Sequence, residues 1–587
     1  MTAARSEKKE CDVLILGASL AGSCLARQLR LQMPDLRIVV IDKKRPQDFR
    51  YWVGEATVPL WVDYAVRSCQ LGPYLWKNHI VKHGVRFFFD SAAKDLPLWE
   101  LSEFGRREYP VIASFHLDRA AFDLDLVRMN RELGIEVLLG VGTVGRTRRA
   151  IELNGPSGHT VATTAGPIGC RWLVDATGMN ALLARKLGLL CEDWKRVRTA
   201  SYWSRFTDVG NIDQLGDDDW RRRVGYTERN LSANHYMYRG YWIWQIPITD
   251  KLTSIGVTVD EDLFPLTLKT AGELHRFLLQ HRCLRDLLGD GAQAIDFHGL
   301  THLARHASAF CSVDRWFITG MASSFVDPLF SSNSMTIAAQ NILIGRLIEA
   351  DRAGDAAIFS SRVAHFNSFF NAFHEANLRA LDYRGHGSFD AWAPFRMAML
   401  NNIITRAAPE YYRSLKTLIE LADRRVGQPV LTAEALGQMI ESGFSGAIRR
   451  LKGEYTDFLE QHGQYYGLNA RQFLEGTERL SARRHLWDEP TEAVLQQRSA
   501  EDMLSYEALV RHYVSRMAEL QGVPFSEAAF TRIFDRRYAG AQRLADLVDA
   551  LRAAAANPPA GAAEKAGVNL WSPTGPPCPD TVGWVRG

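Results

Sequence analysis

Asp12-Val13-Leu14-Ile15-Leu16-Gly17-Ala18-Ser19-Leu20-Ala21-Gly22 is the stretch that decides the fold. Its first five residues form a short apolar run, the pattern of a strand buried on both faces of a parallel sheet. The glycine-bearing turn opens a helical stretch that runs through Arg30, and a second apolar run, Arg37 to Ile41, ends at Asp42. This β–turn–α–β order, closed by an acid about twenty residues past the last glycine, is the dinucleotide fingerprint, with Ser19 in the place of its middle glycine. The helix start offers unpaired N–H groups to a pyrophosphate, and Asp42 can accept from a ribose hydroxyl. The hydroxymethyl group of Ser19 is small enough for the backbone approach to survive. Gly17, Ser19, Leu20, Ala21, Gly22 and Asp42 are therefore candidate cofactor contacts. The expected fold class is α/β, with a Rossmann-like domain.

Outward from this unit, Arg171 to Asp175 reads as a strand leading into Ala176-Thr177-Gly178. Arg315 to Gly320 reads as another, opening a turn and then a helix from about Met335 to Ala350. Between them lies β-rich sequence, about residues 195–300. Trp203 to Phe206, Gly240 to Ile246 and Thr253 to Val259 look like antiparallel strands, the last two joined through Thr249-Asp250-Lys251. The middle strand contains Trp242-Ile243-Trp244-Gln245-Ile246-Pro247. With a side-chain period of two, both indoles share one face, and Pro247, which has no N–H, ends the ladder. An isolated pair of this kind is more often a core strand, but side by side the two rings also make a rigid apolar wall. The expected domains are a nucleotide-binding domain with an inserted antiparallel sheet (1–355), a helical C-terminal region (356–552) and a disordered Ala-, Pro- and Gly-rich tail (553–587).

Composition narrows the function. The chain has 587 residues, 46% apolar and 23% charged, as expected of a globular enzyme. A net charge of +3 gives no argument for nucleic acid, and Arg221-Arg222-Arg223, Arg449-Arg450 and Arg483-Arg484 read as solvated faces. Eight cysteines without a CxxC suggest neither a zinc site nor a disulfide framework, so no metal is expected. The polar start from Met1 to Glu10 has no signal core, and no apolar run is long enough to span a bilayer. A cytoplasmic location follows as an expectation.

Taken together, residues 10–350 resemble the flavin-dependent halogenases, within the wider group of aromatic-hydroxylase-like flavoproteins. Gly17 to Gly22 is similar to the family's phosphate loop. Gly54-Glu55-Ala56-Thr57-Val58-Pro59 resembles the segment beside the flavin. Asp118-Arg119 with Phe122-Asp123 resembles the element whose arginine helps to hold the cofactor, and Asp175-Ala176-Thr177-Gly178 the second flavin motif. Phe325-Val326-Asp327-Pro328-Leu329-Phe330-Ser331-Ser332 resembles the turn at the isoalloxazine, with Gly320 nearby. The WxWxIP string is the signature separating the halogenases from flavin monooxygenases.

The resemblance implies FAD, used as FADH2 from a partner flavin reductase, with O2 and chloride or bromide as co-substrates. Gly54, Glu55, Ala56, Arg119, Asp175, Gly178, Gly320, Asp327 and Pro328 would then join the cofactor contacts. Ser331, Ser332 and Asn333 would form the halide or flavin-side turn, and Trp242, Trp244, Ile246 and Pro247 the tunnel wall. Val81-Lys82-His83-Gly84 resembles the segment with the active-site lysine, whose amine would take up hypohalous acid and aim it at one ring carbon. Desolvation can bring a lysine pKa down to a usable value.

Three positions depart from the family. Asn333 replaces a turn glycine and is expected to take its left-handed backbone. Met321 replaces an aspartate that contacts the ribityl chain, which implies weaker flavin retention. Phe330 stands where tryptophan halogenases carry a glutamate, so the chain is closer to the phenol- and pyrrole-type enzymes, with an aromatic substrate either free or bound to a carrier protein. No second nucleotide-binding loop is expected, so NADPH alone should not reduce the flavin. Two alternatives stand beside this reading: a flavin monooxygenase or oxidase that does not use halide, and a non-catalytic flavin-binding protein of a biosynthetic complex.

Overall fold

The computed structural model describes residues 9–49, 53–90, 93–105, 109, 113–144, 150–154, 158–329 and 331–385, then 415–432, 434–435, 454–455, 458, 507–508, 510–535 and 542–556. Two compact units emerge, Met1–Arg498 and Ser499–Gly587. Within the second, the helices Glu527–Ile533 and Leu544–Ala556 pack on each other, and the latter runs three residues past the expected start of the tail; beyond Ala556 the tail lies outside the described residues.

In chain order, the first unit carries strands β1 (Lys9–Leu16), β2 (Ile38–Asp42), β3 (Ile80–Lys82), β4 (Val85–Phe89), β5 (Ser102–Gly105), β6 (Ser114–His116) and β7 (Glu136–Leu139). Next come β8 (Ile151–Leu153), β9 (His159–Thr163), β10 (Gly166–Asp175), β11 (Leu190–Cys191), β12 (Thr199–Thr207), β13 (Ala233–Tyr238), β14 (Tyr241–Pro247) and β15 (Thr253–Asp260). The last are β16 (Gln293–Ala294), β17 (His298–Thr301), β18 (Arg305–Ala307), β19 (Trp316–Ile318) and β20 (Ser324–Phe325). The helices that matter for the site are α1 (Leu20–Gln32), α2 (Pro59–Arg67), α3 (Gly72–Asn78), α4 (Arg119–Glu132), α5 (Ser332–Arg352) and α6 (Ala356–Gly385).

The nucleotide-binding core is a parallel sheet in the order β7-β2-β1-β10-β19. The antiparallel β8–β9 hairpin extends it along the first half of β10. Every residue of β2 is buried, as its unbroken apolar run requires. Helix α5 lays Leu343, Ile344, Leu347 and Ile348 into the main apolar cluster, where α6 adds Phe359, Val363, Phe366 and Phe370. Each such side chain contributes roughly 1.5–3 kcal/mol by leaving water. The α/β class with a C-terminal run of helices is as the sequence indicates.

The second sheet runs β16-β12-β15-β14-β13-β4-β5, with β17 beside β12. It is not built from one insert, because β4 and β5 come from residues 85–105. The step from β13 to β4 is parallel in an otherwise antiparallel sheet. The run Phe87-Phe88-Phe89 is buried on both faces and cannot lie at a free surface, so β4 is drawn into the sheet.

One string escaped the sequence reading. Gly140-Val141-Gly142-Thr143-Val144-Gly145 also spells G-x-G-x-x-G, directly after β7. It is no phosphate cradle. The amides of Gly140 and Val141 donate to the carbonyls of Lys44 and Asp42, and those of Gly142 and Val144 to the Thr164 hydroxyl and the Ala162 carbonyl.

Candidate active site

The dinucleotide end is assembled by close backbone approach. Gly17 sits at φ +114°, where a side chain would run into the Ala176 carbonyl, and a side chain at Gly22 would strike the Gly17 carbonyl. The loop and the second flavin motif thus touch. Ser19 begins α1 without capping it; its hydroxyl donates to Asp123 at 2.7 Å instead. Arg119 is buried and ties three segments together, reaching Asp123 (3.0 Å), Ser19 (3.1 Å) and the Val53 carbonyl (3.3 Å). Leu20 is buried, and the Ala21 carbonyl accepts from Asn341. Asp42 takes the Ala18 and Lys44 amides, one on each oxygen, which leaves each oxygen a lone pair for a ribose hydroxyl.

Asp175 is placed differently from a ligand. It is fully buried, and its oxygens accept from the Thr177 amide and hydroxyl and from the Leu183 amide. Its part is the shape of the turn, which leaves Gly178 at φ +60° with open space before it. A bare helix start, the Gly17 cradle and the Arg119 clasp together fit an FAD.

On the flavin side, Gly54 donates its amide to Glu55 Oε2, while Oε1 is buried without a partner. Burial pushes the Glu55 carboxyl up. Gly320 donates to Gln340, and Met321 lies beside it, half-buried. Asp327 accepts the Leu329 amide, and the Pro328 carbonyl that of Ser331. The left-handed residue of this turn is Ser331 (φ +53°, ψ 31°), not Asn333. Asn333 is helical, because α5 already begins at Ser332, so its identity is not needed for the turn; its buried Oδ1 has no partner. Phe330 lies outside the described residues. The start of a 21-residue helix carries the partial positive charge that favours an anion.

Between these elements stands the aromatic wall. Trp242, Trp244 and Ile246 share one face of β14 and cluster with Ala56, Phe87 and Leu329, thereby linking both flavin-side segments to the wall. Trp242 and Trp244 lie 5.6 Å apart, centroid to centroid. The wall is wider than the sequence showed. One register row crosses the sheet as His298, Trp203, Gly256, Trp244, His235 and Phe87. Gly256 leaves the gap that Trp203 and Trp244 fill, since a side chain there would strike both. Pro247 closes β14 opposite Thr253.

Lys82 ends β3 and is 3% exposed. Its ammonium donates to the Thr57 carbonyl at 2.8 Å, and burial lowers its pKa to about 8. It is no surface lysine. Two imidazoles sense its charge, His116 on β6 and His235 on β13. Burial holds His235 down to about 3 and His116 well below the ordinary histidine value. Trp203, His116 and His235 carried no motif in the sequence. Only the alternation along β12 could have pointed to Trp203.

Among the described residues, no helix is long and apolar enough to cross a membrane. No family model matches the chain. The flavin-dependent halogenase chlA of Dictyostelium discoideum is 24% identical over 426 residues, 65% of this chain and 68% of that protein. The 1H-pyrrole-2-carbonyl-[peptidyl-carrier protein] chlorinase of Pseudomonas fluorescens is 27% identical over 365 residues, 59% of this chain and 77% of that one. The crystal structure of halogenase PltM shares the fold at a TM-score of 0.60 and 17% identity, over 84% of this chain and 96% of its own. With the phosphate loop, the flavin-side turn and the WxWxIP strand in place, the chain is similar in sequence to flavin-dependent halogenases and shares the fold of one of them.

Proposed function

We propose that the chain is an FADH2-dependent halogenase that installs chlorine or bromine on an electron-rich aromatic ring in secondary metabolism. Reduced FAD with O2 supplies the oxidation of halide to hypohalous acid. Gly17, Ser19, Gly22, Asp42 and Arg119 hold the adenosine and phosphate half of the cofactor, and Gly54, Glu55, Ala56, Gly178, Gly320, Asp327 and Pro328 flank its ring. Ser331, Ser332 and Asn333 present the helix start to the halide. Trp242, Trp244, Ile246 and Pro247 keep the oxidant from bulk water, and Lys82 receives it. The carrier-protein substrate named for the Pseudomonas relative supports an aromatic acyl group presented on a carrier.

The observation that carries this reading is Lys82: a buried amine held by the Thr57 carbonyl, one residue from Ala56 of the Trp cluster, with its pKa drawn down to about 8. Its test is product mass spectrometry with a flavin reductase, NADH, FAD and either halide, on free and carrier-bound phenols and pyrroles. A halogenated product is expected, lost in Lys82→Ala and in Lys82→Arg while FAD binding and O2 consumption persist. Hydroxylated product without halogen would support the monooxygenase alternative and sink this one.

A further inference from the structure

Arg305 stands on β18, opposite Phe325 of β20, the residue that opens the flavin-side turn. Its guanidinium crosses to the second flavin motif and donates to the Met179 carbonyl at 2.8 Å. Arg185, on the short helix Leu182–Leu187, donates to the next carbonyl along, that of Asn180, at 2.9 Å. The turn Gly178–Asn180 packs on Gly320–Ala322. Two guanidiniums thus flank one three-residue turn, where Gly178 faces open space and where the segments proposed above to flank the flavin ring converge.

The charges do not balance here. Among the described residues neither arginine has a carboxylate partner, and the one charge that reaches Arg305 is that of Arg185, another cation. Arg305 is half-buried, and its Nε is buried without a hydrogen-bond partner. Burial and the neighbouring cation both pull its pKa down. The fold therefore carries a cost that an arriving anion would relieve. The phosphates of FAD have their own partners in the Gly17 cradle, the start of α1 and the Arg119 clasp. What is left unmatched on the ring side is the charge of the reduced flavin itself. Reduction brings two electrons to the ring, and near neutrality only one proton stays with them, so the reduced ring is an anion while the oxidised ring is neutral.

Resting on the halogenase reading above, we propose that Arg305, seconded by Arg185, makes the site selective for the anionic reduced flavin over the neutral oxidised one. The chain thereby takes up the cofactor in the state in which a reductase releases it, and holds it less tightly once it is oxidised. Both electrons come from the reductase's nicotinamide and leave to O2. The arginines act by charge alone and exchange neither proton nor electron with the flavin.

The test is the midpoint potential of FAD bound to the full chain, measured by slow anaerobic reduction against a reference dye, without halide or aromatic substrate. In the wild type it should lie above that of free FAD, because tighter binding of the reduced state raises it. Arg305→Gln should bind reduced FAD about tenfold more weakly and oxidised FAD as before, which lowers the potential by about 30 mV. Arg305→Lys, which keeps the charge, should stay near the wild-type value, and Arg185→Gln should move it in the same direction by less. Dissociation constants for the two redox states, measured separately, close the cycle. An equal loss in both states with the potential unmoved would assign Arg305 to the phosphates or to the shape of the turn and overturn the proposal. A wild-type potential at or below that of free FAD overturns it as well. The halogenase reading fails separately, by absence of halogenated product, because the potential needs no turnover.

Discussion

A buried ammonium with one carbonyl partner favours the unfolded state, where water solvates it. The Lys82 pKa falls from 10.5 to about 8 in the folded chain. Between those values the unfolded chain binds the proton that the folded chain has released, so stability rises with pH across that window and the full cost is felt below it. Lys82→Met should therefore be more stable than the wild type at neutral pH by about 1–3 kcal/mol, allowing for the lost bond to Thr57. That advantage should shrink as pH climbs from 8 toward 10.5. Urea unfolding at neutral and alkaline pH checks it, and a variant less stable than the parent at neutral pH would refute the account. The position of Lys82 was legible in the sequence only through the motif around it; its burial was not, because β6 and Thr57, which cover it, lie elsewhere in the chain. Asp175 and Asn333 show the opposite limit. Motif letters identified both positions, but whether a carboxylate faces inward, or a residue is helical, depends on neighbours such as Leu183 and on where α5 begins.

At the scale of elements, the strand–turn–helix unit at Asp12–Gln32 was readable because buried parallel strands and glycine turns leave strong local marks. The aromatic wall was only half readable. Trp242 and Trp244 lie on one strand, whereas Trp203, Gly256 and His235 join them by register across β12, β15 and β13, which no local pattern encodes. Gly256 carries a sharp expectation. A valine there must displace both Trp203 and Trp244, and overpacking of this kind costs about 1–3 kcal/mol or more. Gly256→Val should lower the unfolding midpoint accordingly and change the near-ultraviolet circular dichroism of the indoles, while FAD binding, whose proposed phosphate cradle lies on the other sheet, is retained. An unchanged aromatic spectrum would show that the gap is not filled as described. The contribution of β4 to this sheet was hidden for a related reason: parallel pairing to β13 brings together segments about 150 residues apart.

For the whole molecule, the decisive point is that the described residues form a single nucleotide cradle. Four amides of the second G-x-G-x-x-G string, those of Gly140, Val141, Gly142 and Val144, are committed to Lys44, Asp42, Thr164 and Ala162. Among the described residues, no comparable loop is then left to hold a nicotinamide nucleotide. Stopped-flow mixing of the FAD-loaded chain with NADPH alone should give only slow reduction, and a flavin reductase should restore fast turnover. Rapid stoichiometric reduction by NADPH would contradict this and favour a self-sufficient monooxygenase. The sequence reached the same expectation while overlooking the string itself; what disqualifies Gly140–Gly145 is its hydrogen bonding, which letters do not carry.

The wall has one more consequence, for the protein's working lifetime. Indoles are themselves electron-rich rings, so under the proposed function the partition of Trp203, Trp242 and Trp244 would be built from material that the halogenating oxidant attacks. The indole N–H groups of Trp203 and Trp242 have no partner to shield them. Wear should then accumulate with each catalytic cycle that lacks a substrate. Peptide mass spectrometry after turnover with halide but no aromatic substrate should find halogenated or oxygenated tryptophan concentrated in the peptides carrying Trp203, Trp242 and Trp244, ahead of the exposed Trp76. Damage spread by solvent exposure instead would mean that the oxidant escapes before it meets the wall.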